Sequence, residues 1–258
     1  QSNMDGYGVS GQIDWDLGGA KLTAISAYRW WDWNPANDGD GTLHSVITKA
    51  QQQNRQRQFS QEVRLASDSG GPLDYVVGGY YFWQIIRGYG QSAYGPAAGL
   101  WNRAPNSPVP LAAWDLALDG FEANSTSNPE TKSLAAFRQV DWKITDALTV
   151  TGGLRYTHET KNGSFSQWWV AGRDLSSVPA LTAAATALRS QFNPVVSYST
   201  DLTDNSVWGL TSLSWKVAPD AAAATPGRSA GSPRRATARG RSGCAARPSR
   251  ATSPGSTP

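Results

Sequence analysis

Apolar and polar residues alternate with period two over long stretches of the first 220 positions, the signature of strands whose side chains point to opposite faces of a sheet. Segment 148–159 is the cleanest: Leu148, Val150, Gly152, Leu154 and Tyr156 share one face, and Thr149, Thr151, Gly153, Arg155, Thr157 and Glu159 the other. In 57–66, Phe59, Val63 and Leu65 oppose Ser60, Glu62 and Arg64. In 73–86, Tyr75, Val77, Gly79, Tyr81, Trp83 and Ile85 lie together, although Val76, Tyr80 and Phe82 make the opposite face less polar. Segment 132–144 sets Leu134, Ala136, Val140, Trp142 and Ile144 on one face, with Arg138 interrupting it. Segment 206–217 repeats the pattern with Val207, Leu213, Trp215 and Val217. Near the start, Val9, Ile13 and Trp15 lead into a turn, and 21–33 returns with Leu22, Ile25, Tyr28, Trp30, Trp31 and Trp33.

Seven strands result, most of 10–14 residues. That exceeds the roughly 5–6 of an average globular strand and matches the roughly 9–11 that a tilted strand needs to cross a bilayer. Tight turns are predicted at Leu17–Ala20, Asp68–Pro72 and Thr145–Ala147; long polar excursions cover 34–54, 88–130 and 161–203, with a short helix over Ala180–Arg189. Short turns at one end and long loops at the other are the rhythm of an up-and-down membrane barrel. Unstructured connections of this length are uncommon in compact soluble domains. The fold class expected is therefore all-β: antiparallel up-and-down strands of a transmembrane β-barrel, about seven strands of a larger one, with long loops on one side.

Composition sharpens this. The 258-residue chain is 39% hydrophobic and contains no run of 18 apolar residues, which excludes helical membrane spans but not a barrel, whose strands put every second residue toward a polar lumen. Twelve Trp and nine Tyr are a heavy load of the amphipathic aromatics that collect at lipid–water boundaries. Trp15, Trp83, Trp142 and Trp215 lie near strand ends and are the candidate interfacial girdle; ordinary aromatic packing in a sandwich core is the competing reading.

The net charge of +3 belongs to the tail. Seven of the 23 basic residues, all Arg, fall in 221–258, leaving 16 against 20 acidic residues in 1–220, a net of −4. The tail contains only Ala, Arg, Pro, Gly, Ser, Thr and Cys244, so it lacks core-forming side chains and reads as a disordered region distinct from a barrel portion at 1–220. Its residue set is what GC-rich DNA read out of frame would encode, and a frameshift near codon 220 is expected. A genuine basic tail touching nucleic acid or a membrane surface is the alternative.

Four stretches, in order, resemble the barrel of TonB-dependent outer-membrane receptors: Leu22–Arg29, Gln58–Ser67, Asp74–Phe82, and Lys132–Phe137 continuing through Ile144–Leu148 to Gly153–Thr157. The resemblance implies a bacterial outer-membrane location and energy-coupled uptake of a bulky scarce nutrient such as a ferric siderophore. It further implies contact with outer-membrane lipid, a metal chelate or similar small molecule as ligand, an inner-membrane TonB-type complex as energy source, and neither cofactor nor nucleic-acid partner nor catalysis. The family's plug and energy-coupling segment are not matched, nor are its later strands, so the chain reads as a middle piece of a receptor. A passive porin-type channel and a soluble β-sandwich that binds or cleaves carbohydrate remain the alternatives.

No catalytic or metal constellation stands out. His44 and His158 have no metal-ligand spacing, and Asn37–Gly41 reads as loop turns, with a surface divalent site as the alternative. Glu62 and Asp141 read as wet-face residues beside Arg64 and Lys143 rather than a hydrolase pair. The loop aromatics Trp101, Trp114, Phe121, Trp168 and Trp169 could stack on a ligand or pack between loops.

Overall fold

The computed structural model describes residues 2–68, 70–218, 221–226 and 237–242. Ser2–Asp16 (β1), Ala20–Asn37 (β2), Ile47–Ser67 (β3) and Leu73–Tyr94 (β4) pair antiparallel, each with the next. Two short helices follow, Ala98–Asn102 (α1) and Leu111–Leu118 (α2). Glu122–Ser127 (β5) and Glu130–Lys143 (β6) then both lie between β4 and Leu148–Ala171 (β7), in one continuous register. They are one wall strand interrupted at Asn128–Pro129, because proline has no N–H for the ladder. Helix α3, Thr182–Phe192, precedes Val196–Ala218 (β8), which pairs with β7. The result is the seven-stranded up-and-down wall that the alternation predicts.

Two of the expected tight turns are built by their own residues. At 17–19, Gly18 and Gly19 take φ of +74° and +133°, which side-chain-bearing residues rarely adopt, and Asp16 accepts the Gly18 N–H at 2.8 Å. At 144–147, Thr145 Oγ1 accepts the Leu148 N–H at 3.0 Å.

The strands are longer than expected, 14–24 residues for the six unbroken ones and β6, and the loops correspondingly shorter. Residues 47–54, 88–94, 161–171 and 196–203, assigned above to loops, continue the ladder. Ile47, Tyr94 and Trp169 turn to the loop cluster, but most positions there are polar on both faces, so the period-two signal fades while backbone pairing persists. Cross-strand polar contacts replace it: Gln51 donates to Asn34 at 2.6 Å, and Gln53 and Arg55 donate to Asp32 at 3.1 and 2.8 Å. The expected helix at Ala180–Arg189 appears as α3.

Two tail segments, Ala221–Pro226 (β9) and Thr237–Ser242 (β10), share the far edge of β8. They fall in the stretch expected to be disordered. An edge of unpaired N–H and C=O groups can recruit a chain through its backbone alone, without apolar side chains. The rest of 221–258, Cys244 included, lies outside the described residues.

The sheet has no core of its own. The buried cluster among the described residues is built by loops: Val46 before β3, Ala98 of α1, Trp114, Leu116 and Leu118 of α2, Phe121, and Ala185 and Leu188 of α3. Backbone bonds tie the loops together, with Gly95 and Ala97 donating to Val46 and Ser45 carbonyls at 3.0 Å. A sandwich would need a second layer over the wall's apolar face, and the described residues supply none.

Candidate membrane-facing surface and loop cap

One face of the wall is the more polar, although Phe137, Trp208 and Leu210 also lie on it. Asp14 accepts from Thr23 at 2.7 Å, Glu62 pairs with Arg64 at 3.3 Å, Lys161 with Glu159 at 2.8 Å, and Arg155 lies over the Tyr80 ring. Lys143 pairs with Asp74 at 2.8 Å, not with Asp141, which instead accepts from Thr151 at 2.5 Å. Glu62 and Asp141 stand two strands apart, opposite Tyr80 and Asp74 respectively, and form no carboxylate pair.

The other face is an apolar band. In β1 it runs from Trp15 at the turn end to Tyr7, and in β8 from Trp215 at the turn end to Val207. Many of the band's residues are exposed, Trp15 64%, Ile13 71%, Trp215 57% and, in β6, Leu134 59%. Following the hydrogen-bonded register across the wall, Trp15 aligns with Leu22, Leu65, Val77, Arg138, Leu154 and finally Gly209. Trp215 is six residues beyond Gly209. The upper limit moves equally: Tyr7 aligns with Asp201, six residues from Val207.

Both edges of the band thus slide by six residues over six strand-to-strand steps. At about 3.3 Å per residue and about 4.8 Å between strands, the band crosses the wall at about 35° to the hydrogen-bonded rows. Strands of a closed barrel tilt by about 35–45° to its axis. A flat hydrocarbon slab cut through strands at that tilt would leave this diagonal. The band's nine residues per strand span about 22–25 Å along the normal, the height of a barrel's apolar belt. Strand β7, at 24 residues, extends about 80 Å, so it rises well beyond the band on the loop side.

All four tryptophans of the expected girdle lie on this face. Trp15, Trp142 and Trp215 follow its turn-end edge, and Trp83 lies at its loop-end edge near Tyr28, Trp30 and Tyr7, the last two rings stacked at 5.4 Å. Where β7 and β8 leave the band, Tyr156 Oη donates to Asn205 Oδ1 at 2.7 Å and His158 Nδ1 lies 2.8 Å from the same oxygen. Arg138 is the one charged side chain inside the band, between Val77 and Leu154; its register on the apolar face holds. It lies above the side-chain-free surface of Gly152 and Gly209.

The loop cap takes up three of the five loop aromatics. Phe121, Trp114 and Trp169 are packed inside it, whereas Trp101 and Trp168 stay exposed at 58% and 38%. Arg189 holds the cap together, a role its sequence position did not reveal. Only 5% exposed, it donates to the Ala117, Leu116 and Arg173 carbonyls at 2.7, 3.2 and 2.8 Å, and its guanidinium sits 5.1 Å from the Phe121 ring centroid. Two of those carbonyls end α2, where a helix has unpaired acceptors and a partial negative charge. Burial pushes the Arg189 pKa down, and likewise raises that of the Tyr94 hydroxyl, which accepts from Asn193 at 3.0 Å.

Asp40 organises the β2–β3 loop. It accepts the Ile47 and Thr42 N–H groups at 2.5 and 2.9 Å, and the Ile47 bond above all holds its carboxyl below the usual aspartate range. This agrees with the loop-turn reading of 37–41. Among the described residues no group of three or more His, Cys, Asp or Glu is arranged for a metal.

The sequence matches no protein-family model and no curated protein. The fold matches the crystal structure of the ferric yersiniabactin uptake receptor FyuA from Yersinia pestis, with a TM-score of 0.53 and 18% identity, covering 85% of this chain and 26% of that one. The chain thus spans about a quarter of that receptor's length, and at this identity the likeness is one of fold: a partial receptor-type barrel wall.

Proposed function

We propose that this chain forms part of the wall of an outer-membrane uptake receptor for a bulky, scarce small molecule of the ferric siderophore class, with energy supplied by an inner-membrane TonB-type complex. The observation that carries the membrane part is the diagonal apolar band: a coreless sheet with one exposed apolar face needs a hydrocarbon cover, and the slant of that cover fits tilted strands in a bilayer. The uptake part rests on the likeness to a ferric siderophore uptake receptor. In this reading Trp15, Trp142 and Trp215 sit at the turn-side interface and Trp83 at the loop-side one. The polar face lines the lumen, and Trp101 and Trp168 are the loop aromatics free to meet a ligand. The role is binding and transport, and no residue is assigned a catalytic step.

The test is spin-label accessibility in lipid. Nitroxides placed in turn at 134, 135 and 136 in the reconstituted chain should alternate, with oxygen access high at 134 and 136 and a water-soluble nickel chelate favoured at 135. Equal access to the nickel chelate at all three would remove the membrane reading. For uptake, titration with ferric catecholate and ferric hydroxamate chelates should quench loop tryptophan fluorescence saturably; no saturable response to any ferric chelate would leave a barrel without this ligand class.

A further inference from the structure

Just beyond the loop-side edge of the apolar band, the same face carries three arginines. Arg55 in β3 stands directly opposite Arg87 in β4, and Arg57, two residues along, lies opposite Ile85. They line a cleft of about 370 Å³ with Trp30, Trp83 and Tyr89. All three arginines are exposed. Asp32 engages Arg55 at 2.8 Å, Asp5 lies beyond Asp32 and accepts from Asn3 at 3.1 Å, and Glu130 is taken up by Lys132 at 3.0 Å and Trp83 Nε1 at 2.8 Å. Among the described residues, the Arg57 and Arg87 side chains have neither ion-pair nor hydrogen-bond partner.

Directly opposed like charges on a sheet are destabilising unless something shares them. A guanidinium fork matches phosphate oxygens in pairs. Arg57 stands about one side-chain length above the band edge at Phe59 and Trp83, and Arg55 and Arg87 a further residue pair up, which is headgroup depth rather than hydrocarbon or bulk water. The cleft faces away from the polar surface, so a transported solute would not meet it. We infer that Arg55, Arg57 and Arg87 bind the phosphate of an anionic lipid headgroup in the loop-side leaflet, with Trp30 and Trp83 packing against the top of its acyl chains. The inference rests on the membrane reading above and adds to it a selective lipid.

The experiment uses the full chain reconstituted in phosphatidylcholine bilayers with spin-labelled phosphatidic acid or spin-labelled phosphatidylcholine as probe. The motionally restricted fraction of each label gives their relative association. Phosphatidic acid should be preferred at least about threefold averaged over the lipid shell, since each basic side chain at the surface favours anionic lipid severalfold. The double variant Arg57→Gln/Arg87→Gln should bring the ratio close to one, and Arg64→Gln, on the polar face, should leave it unchanged. Added inorganic phosphate at millimolar concentration should not displace the lipid. An unaltered ratio in the double variant, or no preference in the parent chain, overturns the site while leaving the membrane reading intact. Absence of any restricted lipid component overturns the membrane reading and the site together.

Discussion

Replacing Arg189 by methionine keeps the side-chain bulk inside the loop cap and removes all three hydrogen bonds and the charge. The guanidinium serves the Leu116, Ala117 and Arg173 carbonyls and lies against Phe121 and Trp169. Bonds to a charged donor contribute about 1.5–3 kcal/mol each, and the ring contacts up to about 2 kcal/mol. Against this stands the several kcal/mol needed to bury an arginine without a carboxylate partner. The variant avoids that cost but strands two buried acceptors at the end of α2 and a part-buried one at Arg173. A net loss of about 3 kcal/mol from the cap follows, or about a hundredfold more frequent opening. Hydrogen exchange on the chain in detergent should register it as about a hundredfold faster exchange in 95–121 and 172–195, with the amides of β1–β3 unchanged. Arg189→Lys, with its charge kept and its fork lost, should fall between. Protection unchanged within about threefold, or lost equally across the distant strands, would refute the assignment of Arg189 as the local staple.

Gly172 has φ of +141°, and a Cβ there would come within 2.7 Å of an Arg189 guanidinium nitrogen, so Gly172→Ala should loosen the same two loops in the same exchange experiment, leaving the β2–β3 turn alone. The depressed pKa of Asp40 makes its contribution to the β2–β3 loop complete above the ordinary aspartate range and lost as pH falls through its lower folded value. The Ile47 amide should therefore lose exchange protection on acidification, after correction for intrinsic rates, and Asp40→Asn should abolish that pH dependence. Arg138→Leu removes the one charge within the apolar band, and should stabilise the lipid-inserted chain by about 1–3 kcal/mol in urea unfolding from vesicles, given the cost of about 2–4 kcal/mol for an arginine at a barrel's midplane; destabilisation would show that Arg138 has a partner in the bilayer.

Much of the wall could be read from residue order alone. Period-two alternation in 57–66, 132–144, 148–159 and 206–217 assigned each side chain to its face, and the turn residues at 17–20 and 145–147 set the hairpins, because both signals are local and every second residue meets a different solvent. Strand ends escaped it where Gln51–Asn54 or residues 196–203 have polar surroundings on both sides, since pairing without a polarity contrast leaves no trace in the sequence. The four tryptophans expected at a membrane interface could be nominated from their places near the ends of the expected strands. That three of them descend along one edge, with Trp83 on the other, required the inter-strand register, which fixes the height of one strand against its neighbour. The same holds for the cap and the arginine cleft: Arg189 meets the end of α2 more than seventy residues away, and Arg55 stands opposite Arg87 only once β3 and β4 have paired. Local sequence determines which way a side chain points, and the tertiary structure decides what stands opposite it.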